Sequence, residues 1–214
     1  MPFSDPLADG LANQLAAQRG LASGTTPPAL LKTVADIRRD SQVPIVLYIY
    51  FNLMHQYGLK EFMNDAKAAG VDGMLALDLP PEEGDEYVNL MREAELCSIW
   101  LVAPTTPEER VKSIVRNGSG FIYYISREGV TGMQQKVAAS IKDKTSVIRK
   151  HTDLPIAVGF GISNPDQARQ VAGCADAVVV GSAIVNQIAE HGAGNNLAGH
   201  VAGYVKTLVD AVKP

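Results

Sequence analysis

Cysteine, aromatic residues and excess charge of one sign are all scarce in this chain of 214 residues. Its two cysteines, Cys97 and Cys174, lie far apart in apolar surroundings, which predicts buried reduced thiols and not a disulfide framework. The net charge of −4 argues against nucleic acid or an anionic membrane as the main partner, because both attract basic surfaces. No window approaches about 18 consecutive apolar residues, so the sequence predicts no membrane span.

The chain opens without the basic and apolar segments of a signal peptide, which predicts a soluble, cytoplasmic protein. Its four histidines have no ligand spacing, so we expect no metal site, and we expect no cofactor on this chain. The 46% of hydrophobic residues is enough to bury a large core. We predict a single domain over residues 1–214.

Six short apolar, β-branched or aromatic runs alternate with longer amphipathic segments. The runs lack alternation between apolar and polar residues, so they predict fully buried parallel strands: residues 44–50, 73–77, 98–102, 120–125, 155–158 and 177–180. The intervening segments have helical periodicity. Phe62, Met63 and Ala66, for example, form one apolar helix face that ends at Gly70.

Repeated strand–helix units leave two architectures open, a doubly wound sheet or a (β/α)₈ barrel. The polar, glycine-rich segments follow the strands at their carboxyl ends, which favours the barrel. Since only about six strands can be found, the sequence predicts an incomplete α/β barrel of this family.

Three glycine-bearing segments follow the later strands: residues 126–132, residues 159–163 and Gly181-Ser182. A phosphate dianion is bound by backbone N–H groups at turns and helix starts, and glycine lets the backbone approach it closely. The alternative is that these glycines only permit tight turns. Two such turns in tandem at the ends of neighbouring strands favour a phosphate site.

The motifs P-F-S-D-P-L-A-D-G at residues 2–10, S-R-E-G-V-T-G at 126–132, G-F-G-I-S at 159–163 and G-S-A-I-V at 181–185 follow one another in this order. In this order they resemble the tryptophan synthase alpha chain family over essentially the whole chain. The resemblance implies a (β/α)₈-barrel lyase that cleaves indole-3-glycerol phosphate to indole and glyceraldehyde 3-phosphate. It also implies a partner, the pyridoxal-phosphate-dependent β chain, in an α₂β₂ heterotetramer.

The resemblance also assigns roles to individual residues. Asp9 matches the catalytic aspartate that faces the indole N–H, although an aspartate here could simply form a turn. Thr131 matches a loop threonine that hydrogen-bonds this aspartate. The apolar indole slot is expected to be lined by Tyr123, Tyr48, Tyr50, Leu75, Leu77 and Leu101, each of which could equally be core. Phosphate binding is expected at Gly132, Gly161, Gly181 and Ser182. Asp5 and Pro6 match the partner interface, with a solvated turn as the alternative.

The family has a second catalytic residue, a glutamate shortly before the opening loop. We expect this glutamate to be missing, together with the first two strands and first helix of the barrel, roughly 50 residues in all. A chain without it should be an impaired enzyme. Three interpretations are open: a truncated sequence of an ordinary alpha chain, a weak or inactive protein that still binds phosphate or the β chain, or another phosphate-binding barrel such as an indole-glycerol-phosphate synthase or thiamine-phosphate synthase relative.

Overall fold

The computed structural model describes residues 1–126, 134–159 and 161–213. Contacts between these residues divide the chain into two compact units. The first unit comprises residues 1–100 and 116–120, and the second comprises the remaining described residues. A single domain over residues 1–214 stays a prediction. No helix in the described part of the chain combines the length and apolarity needed to cross a membrane.

Three parallel strands belong mainly to the first unit: β1 (Val46–Ile49), β2 (Gly73–Ala76) and β3 (Cys97–Val102). The helices before and between them are α1 (Leu11–Ala22), α2 (Pro27–Ile37), α3 (Phe51–Tyr57), α4 (Leu59–Ala69) and α5 (Asp85–Glu93), with a 3₁₀ turn at Pro81–Glu83. Thr26 caps α2, because its side chain accepts a hydrogen bond from the Ala29 N–H. Gly70 ends α4 in the left-handed conformation, at φ 93°.

Three further parallel strands form the sheet of the second unit: β4 (Ile122–Ile125), β5 (Ile156–Gly159) and β6 (Ala177–Val179). Helix α6 (Glu108–Asn117) precedes β4, and α7 (Gln134–Arg149) and α8 (Pro165–Ala172) connect the strands. Helices α9 (Ser182–His191) and α10 (Leu197–Val212) follow β6. All six predicted strands are therefore found among the described residues, each within two residues of its predicted position at either end.

The prediction that every strand is fully buried is confirmed for β2 and β5 and is wrong for the other four strands, since β3 and β4 have half-buried residues and β1 and β6 also have exposed ones. In β1, Leu47 and Ile49 are buried, whereas Val46 and Tyr48 are 37% and 39% exposed. Ala177 in β6 is also exposed. The two fully buried strands, β2 and β5, pair with a neighbour on both sides, whereas the other four strands each pair with one strand in the sheet of their own unit. The apolar composition of such a run does not reveal this difference.

Both units contain the same arrangement of an aspartate and an arginine at the start of their sheets. The Asp72 carboxylate accepts hydrogen bonds from the Ile45 N–H at 2.7 Å and from Arg38 at 2.6 Å. The Asp176 carboxylate accepts one from the Ile156 N–H at 2.8 Å and one from Arg149 at 2.7 Å. In each unit, an aspartate that directly precedes one strand thus fixes the start of the neighbouring strand.

Candidate functional site

The opening loop lies against the carboxyl end of β1. A turn within it is closed by the hydrogen bond from the Asp9 N–H to the Pro6 carbonyl, at 3.1 Å. The Ala8 N–H donates to the Tyr50 hydroxyl at 3.0 Å, and the Phe3 ring packs on the Tyr50 ring with centroids 5.1 Å apart. Helix α1 then begins at Leu11, with Gly10 as its N-cap residue. These contacts place Asp9 beside the carboxyl end of the strand, which is where active sites of α/β barrels lie.

Among the described residues, three side chains donate hydrogen bonds to the Asp9 carboxylate. The Tyr50 hydroxyl donates to Oδ2 at 2.9 Å, and the Tyr48 hydroxyl donates to Oδ1 at 3.1 Å. The Asn13 amide also donates to Oδ1, at 3.1 Å. Burial and the hydrogen bond to Asp9 raise the pKa of Tyr50 to about 12, so its hydroxyl stays protonated at neutral pH. The structure thus brings together Asp9, Tyr48 and Tyr50 from the predicted site.

A cavity of about 550 Å³ opens beside this cluster, and the Tyr50 ring forms part of its wall. Its lining mixes apolar and acidic side chains: Phe3, Asp5, Leu7, Ala8, Tyr50, Asn52 and Asp78. The Asp78 carboxylate accepts the hydrogen bond of the Phe51 N–H at 2.7 Å, so it satisfies a free donor at the start of α3. Asp5 is exposed and Pro6 is half-buried, both on the loop that borders the cavity.

The three leucines expected to line an apolar slot differ in burial, and they do not all belong to the same unit. Leu75 is buried in β2 and is in register with Tyr48 of β1, so the two side chains leave the same face of the sheet. Leu77 follows β2 and is half-buried. Leu101 is half-buried in β3 and belongs to the second unit. Their burial is equally consistent with packing in the core, so it does not show that any of these leucines contacts a ligand.

Tyr123 lies on β4 in the second unit, and its half-buried side chain covers Gly159 of β5. A Cβ on Gly159 would lie 2.7 Å from Cε2 of Tyr123, so only glycine leaves space for this ring. Burial also raises the pKa of Tyr123. The sequence had suggested Gly159 only as part of a glycine turn, and its role in seating Tyr123 was missed. The closest sequence signal was a glycine at the end of a strand.

The glycine turns at the ends of β5 and β6 lie on the same edge of the sheet, because Gly159 is in register with Val179. Gly161 has φ +59° and is exposed. Gly181 precedes the first helical residue, Ser182, which begins α9. A Cβ on either glycine would meet no atom within 4 Å. The first N–H groups of α9 have no partner within the helix and can bind an anion.

Two expected site residues, Thr131 and Gly132, lie outside the described residues. In the part of the chain that is described, no group of three or more His, Cys, Asp or Glu side chains is arranged to hold a metal ion. Sequence reasoning also missed Asn13, which reaches Asp9 from one turn into α1. The four-residue spacing of Asp9 and Asn13 is the signal that could have found it.

Comparison with known proteins identifies the family. The sequence model of the family described as tryptophan synthase alpha chain matches residues 1–212. The tryptophan synthase alpha chain of Opitutus terrae is 53% identical over 214 residues, which are all of this chain and 80% of that protein. That of Geotalea daltonii is 47% identical over 213 residues, or 79% of its length.

Solved structures give the same result for the fold. The tryptophan synthase subunit alpha of Legionella pneumophila has a TM-score of 0.90 and 34% identity, and the match covers 99% of this chain and 79% of that one. A chain of the tryptophan synthase α₂β₂ complex of Pyrococcus furiosus has a TM-score of 0.89 and 35% identity, over 98% and 84% of the two chains. The predicted α/β class of the (β/α)₈-barrel family is thereby confirmed. The chain belongs to the tryptophan synthase alpha chain family.

Proposed function

We propose that this chain binds indole-3-glycerol phosphate and that Asp9 is a catalytic residue in its cleavage to indole and glyceraldehyde 3-phosphate. Family membership gives the reaction class, a lyase step of tryptophan biosynthesis, and the comparisons favour neither a purely binding protein nor another barrel enzyme. The observation that carries the proposal is the fixed Asp9 carboxylate at the carboxyl end of β1.

The chemistry requires a carboxylate in this position. Cleavage proceeds by protonation of indole C3, which places positive charge on the ring and its N–H. The bond between C3 and the glycerol carbon then breaks, its electron pair returns to the ring, and the glycerol hydroxyl loses its proton as the aldehyde forms. A fixed carboxylate beside the N–H stabilises the charge in the transition state without reorganising.

The phosphate group of the substrate is assigned to the turns after β5 and β6. Gly161, Gly181 and Ser182 support this assignment, because all three are exposed and Gly181 and Ser182 stand at the start of α9. Gly132 is proposed for the same site from the family motif. Tyr123, Tyr50, Leu75, Leu101 and Thr131 are proposed to contact the remainder of the substrate.

Asp5 and Pro6 are proposed to contact a β chain. The support is that the loop carrying them is accessible, with Leu7 93% exposed, and that a similar chain occurs in an α₂β₂ complex. As a biosynthetic enzyme of this family, the chain is proposed to act in the cytoplasm.

The chain spans 80% of the Opitutus terrae protein. The expectation that the family's upstream glutamate, first two strands and first helix are missing stays a prediction, as does the impaired activity that would follow from it.

The test is indole release from indole-3-glycerol phosphate by the purified chain, compared with Asp9→Asn. The control is Asp40→Asn, which changes an exposed aspartate in the same unit. We expect Asp9→Asn to abolish the release and Asp40→Asn to leave it unchanged. Release that survives Asp9→Asn would contradict the catalytic assignment.

Phosphate binding is tested separately with glycerol phosphate and Gly181→Val. A side chain at Gly181 meets no neighbour, so the fold should tolerate this change while the ligand is excluded. Unchanged affinity for glycerol phosphate would show that the phosphate group binds elsewhere. The control is Gly203→Val, at an equally open position within α10, which should bind glycerol phosphate normally.

A further inference from the structure

We propose that Tyr48 is a positioning residue that selects for an N–H donor in the substrate, because it and Asn13 occupy Oδ1 of Asp9 and, among the contacts of the described residues, leave one acceptor position on Oδ2. This inference rests on the proposed function of Asp9. The family resemblance had suggested Tyr48 only as part of an apolar slot. Its hydroxyl, 3.1 Å from Oδ1, gives it a polar role instead.

The alternation of β1 places the two phenols on Asp9 together. Tyr48 and Tyr50 are two residues apart, so their side chains leave the same face at the end of the strand. The intervening residue, Ile49, is fully buried on the opposite face. Because the strand is held in register with β2, the spacing of the two hydroxyls is set by the backbone.

Counting acceptor positions shows which carboxylate oxygen remains available. Two oxygens offer about four lone-pair positions in all. On Oδ1, both positions are taken, by Tyr48 at 3.1 Å and by Asn13 at 3.1 Å. On Oδ2, Tyr50 takes one position at 2.9 Å. Counting the contacts of the described residues, the remaining position is on Oδ2, beside the Tyr50 hydroxyl.

The donors on Asp9 are neutral, and this suits a carboxylate that must stabilise positive charge. Phenols and an amide orient the group without cancelling its charge, whereas a lysine or arginine in their place would cancel it. Tyr50 keeps its proton because its pKa is raised to about 12. Tyr48 is 39% exposed, so it is the more accessible of the two phenols.

The test compares the binding of indole with that of 1-methylindole, which has the same ring but no N–H. In the parent chain, indole should bind more tightly. Tyr48→Phe removes only the hydroxyl, and we expect it to reduce this preference about 3- to 10-fold, the effect of one neutral hydrogen bond, while 1-methylindole binds as before. Tyr48→Leu should lose the same preference, because the hydroxyl and not the ring carries it.

The outcomes separate this inference from the proposed function. If the parent chain prefers indole and Tyr48→Phe keeps the full preference, the role of Tyr48 is wrong while that of Asp9 stands. If the parent chain shows no preference, the contact between Asp9 and the N–H is wrong, and the inference falls with it. A double-mutant cycle of Tyr48→Phe and Asp9→Ala on urea unfolding needs no ligand: non-additive effects support the hydrogen bond, and additive effects overturn it.

Discussion

Replacing Arg38 by methionine should destabilise the protein far more than the same change at Arg149. Both arginines pair with an aspartate that fixes the start of a strand, but their surroundings differ. The Arg38 side chain is 15% exposed and donates to the Gly70 carbonyl at 2.7 Å and the Val43 carbonyl at 2.6 Å, in addition to Asp72. The Arg149 side chain is 46% exposed, and it donates a hydrogen bond to the Asp176 carboxylate at 2.7 Å.

The expected magnitudes follow from these contacts. A hydrogen bond that involves a charged group contributes about 1.5–3 kcal/mol to the free energy of unfolding. The bonds of Arg38 are not additive, and the Val43 carbonyl can regain water because Val43 is 57% exposed. We therefore expect Arg38→Met to lower the free energy of unfolding by about 2–4 kcal/mol. An exposed ion pair contributes about 0–1 kcal/mol, so Arg149→Met should cost less than about 1 kcal/mol.

Urea unfolding of the two variants measures the difference directly. Trp100, the single tryptophan, is buried and donates to the Asn117 carbonyl at 3.0 Å, so its fluorescence reports on the first unit. Helical circular dichroism follows both units. Methionine keeps most of the aliphatic stem in each variant, which makes the pair a matched comparison. Equal losses at Arg38 and Arg149 would refute the reasoning from burial and carbonyl contacts.

Two further changes test the second unit. Gly159→Ala should lower the free energy of unfolding by about 1–3 kcal/mol, because the new methyl group overlaps the Tyr123 ring; Tyr123→Leu in the same chain should recover part of the loss, and no recovery would mean that the strain lies elsewhere. Hydrogen bonds from the Ile156 N–H and from Arg149 lower the pKa of Asp176. Its stabilisation is therefore complete above the unfolded-state pKa and is lost as the pH falls through the lower folded-state pKa. We therefore expect Asp176→Asn to reduce the loss of unfolding free energy that the protein shows as the pH is lowered into the acid range. An unchanged pH dependence in this range would contradict the assignment.

The strands could be found from sequence because each is a short apolar run between polar segments. This signal is local, and it placed all six strands within two residues at either end. The pairing of Asp72 with Arg38 is not local, since the two residues are 34 positions apart. The same holds for Asp176 and Arg149, 27 positions apart. An aspartate before a strand has no periodic signature, so such contacts are visible only after the chain has folded.

Sequence analysis assigned Asp9, Tyr48 and Tyr50 to one site, and the structure joins these three residues by hydrogen bonds and not as an apolar slot. Grouping Tyr48 and Tyr50 with leucines as apolar residues hid their hydroxyl groups, and the apolar run of β1 hid its alternation. Yet the face that Tyr48 and Tyr50 share at the end of β1 is what allows both phenols to reach a carboxylate from the opening loop. A leucine at position 48 would keep the strand and the register with Leu75, but it would leave Oδ1 with the Asn13 amide alone. At position 48 the strand needs only a residue that fits a pleated sheet. The orientation of the Asp9 carboxylate depends in addition on the Tyr48 hydroxyl. The fold and the proposed chemistry therefore place separate requirements on this one residue.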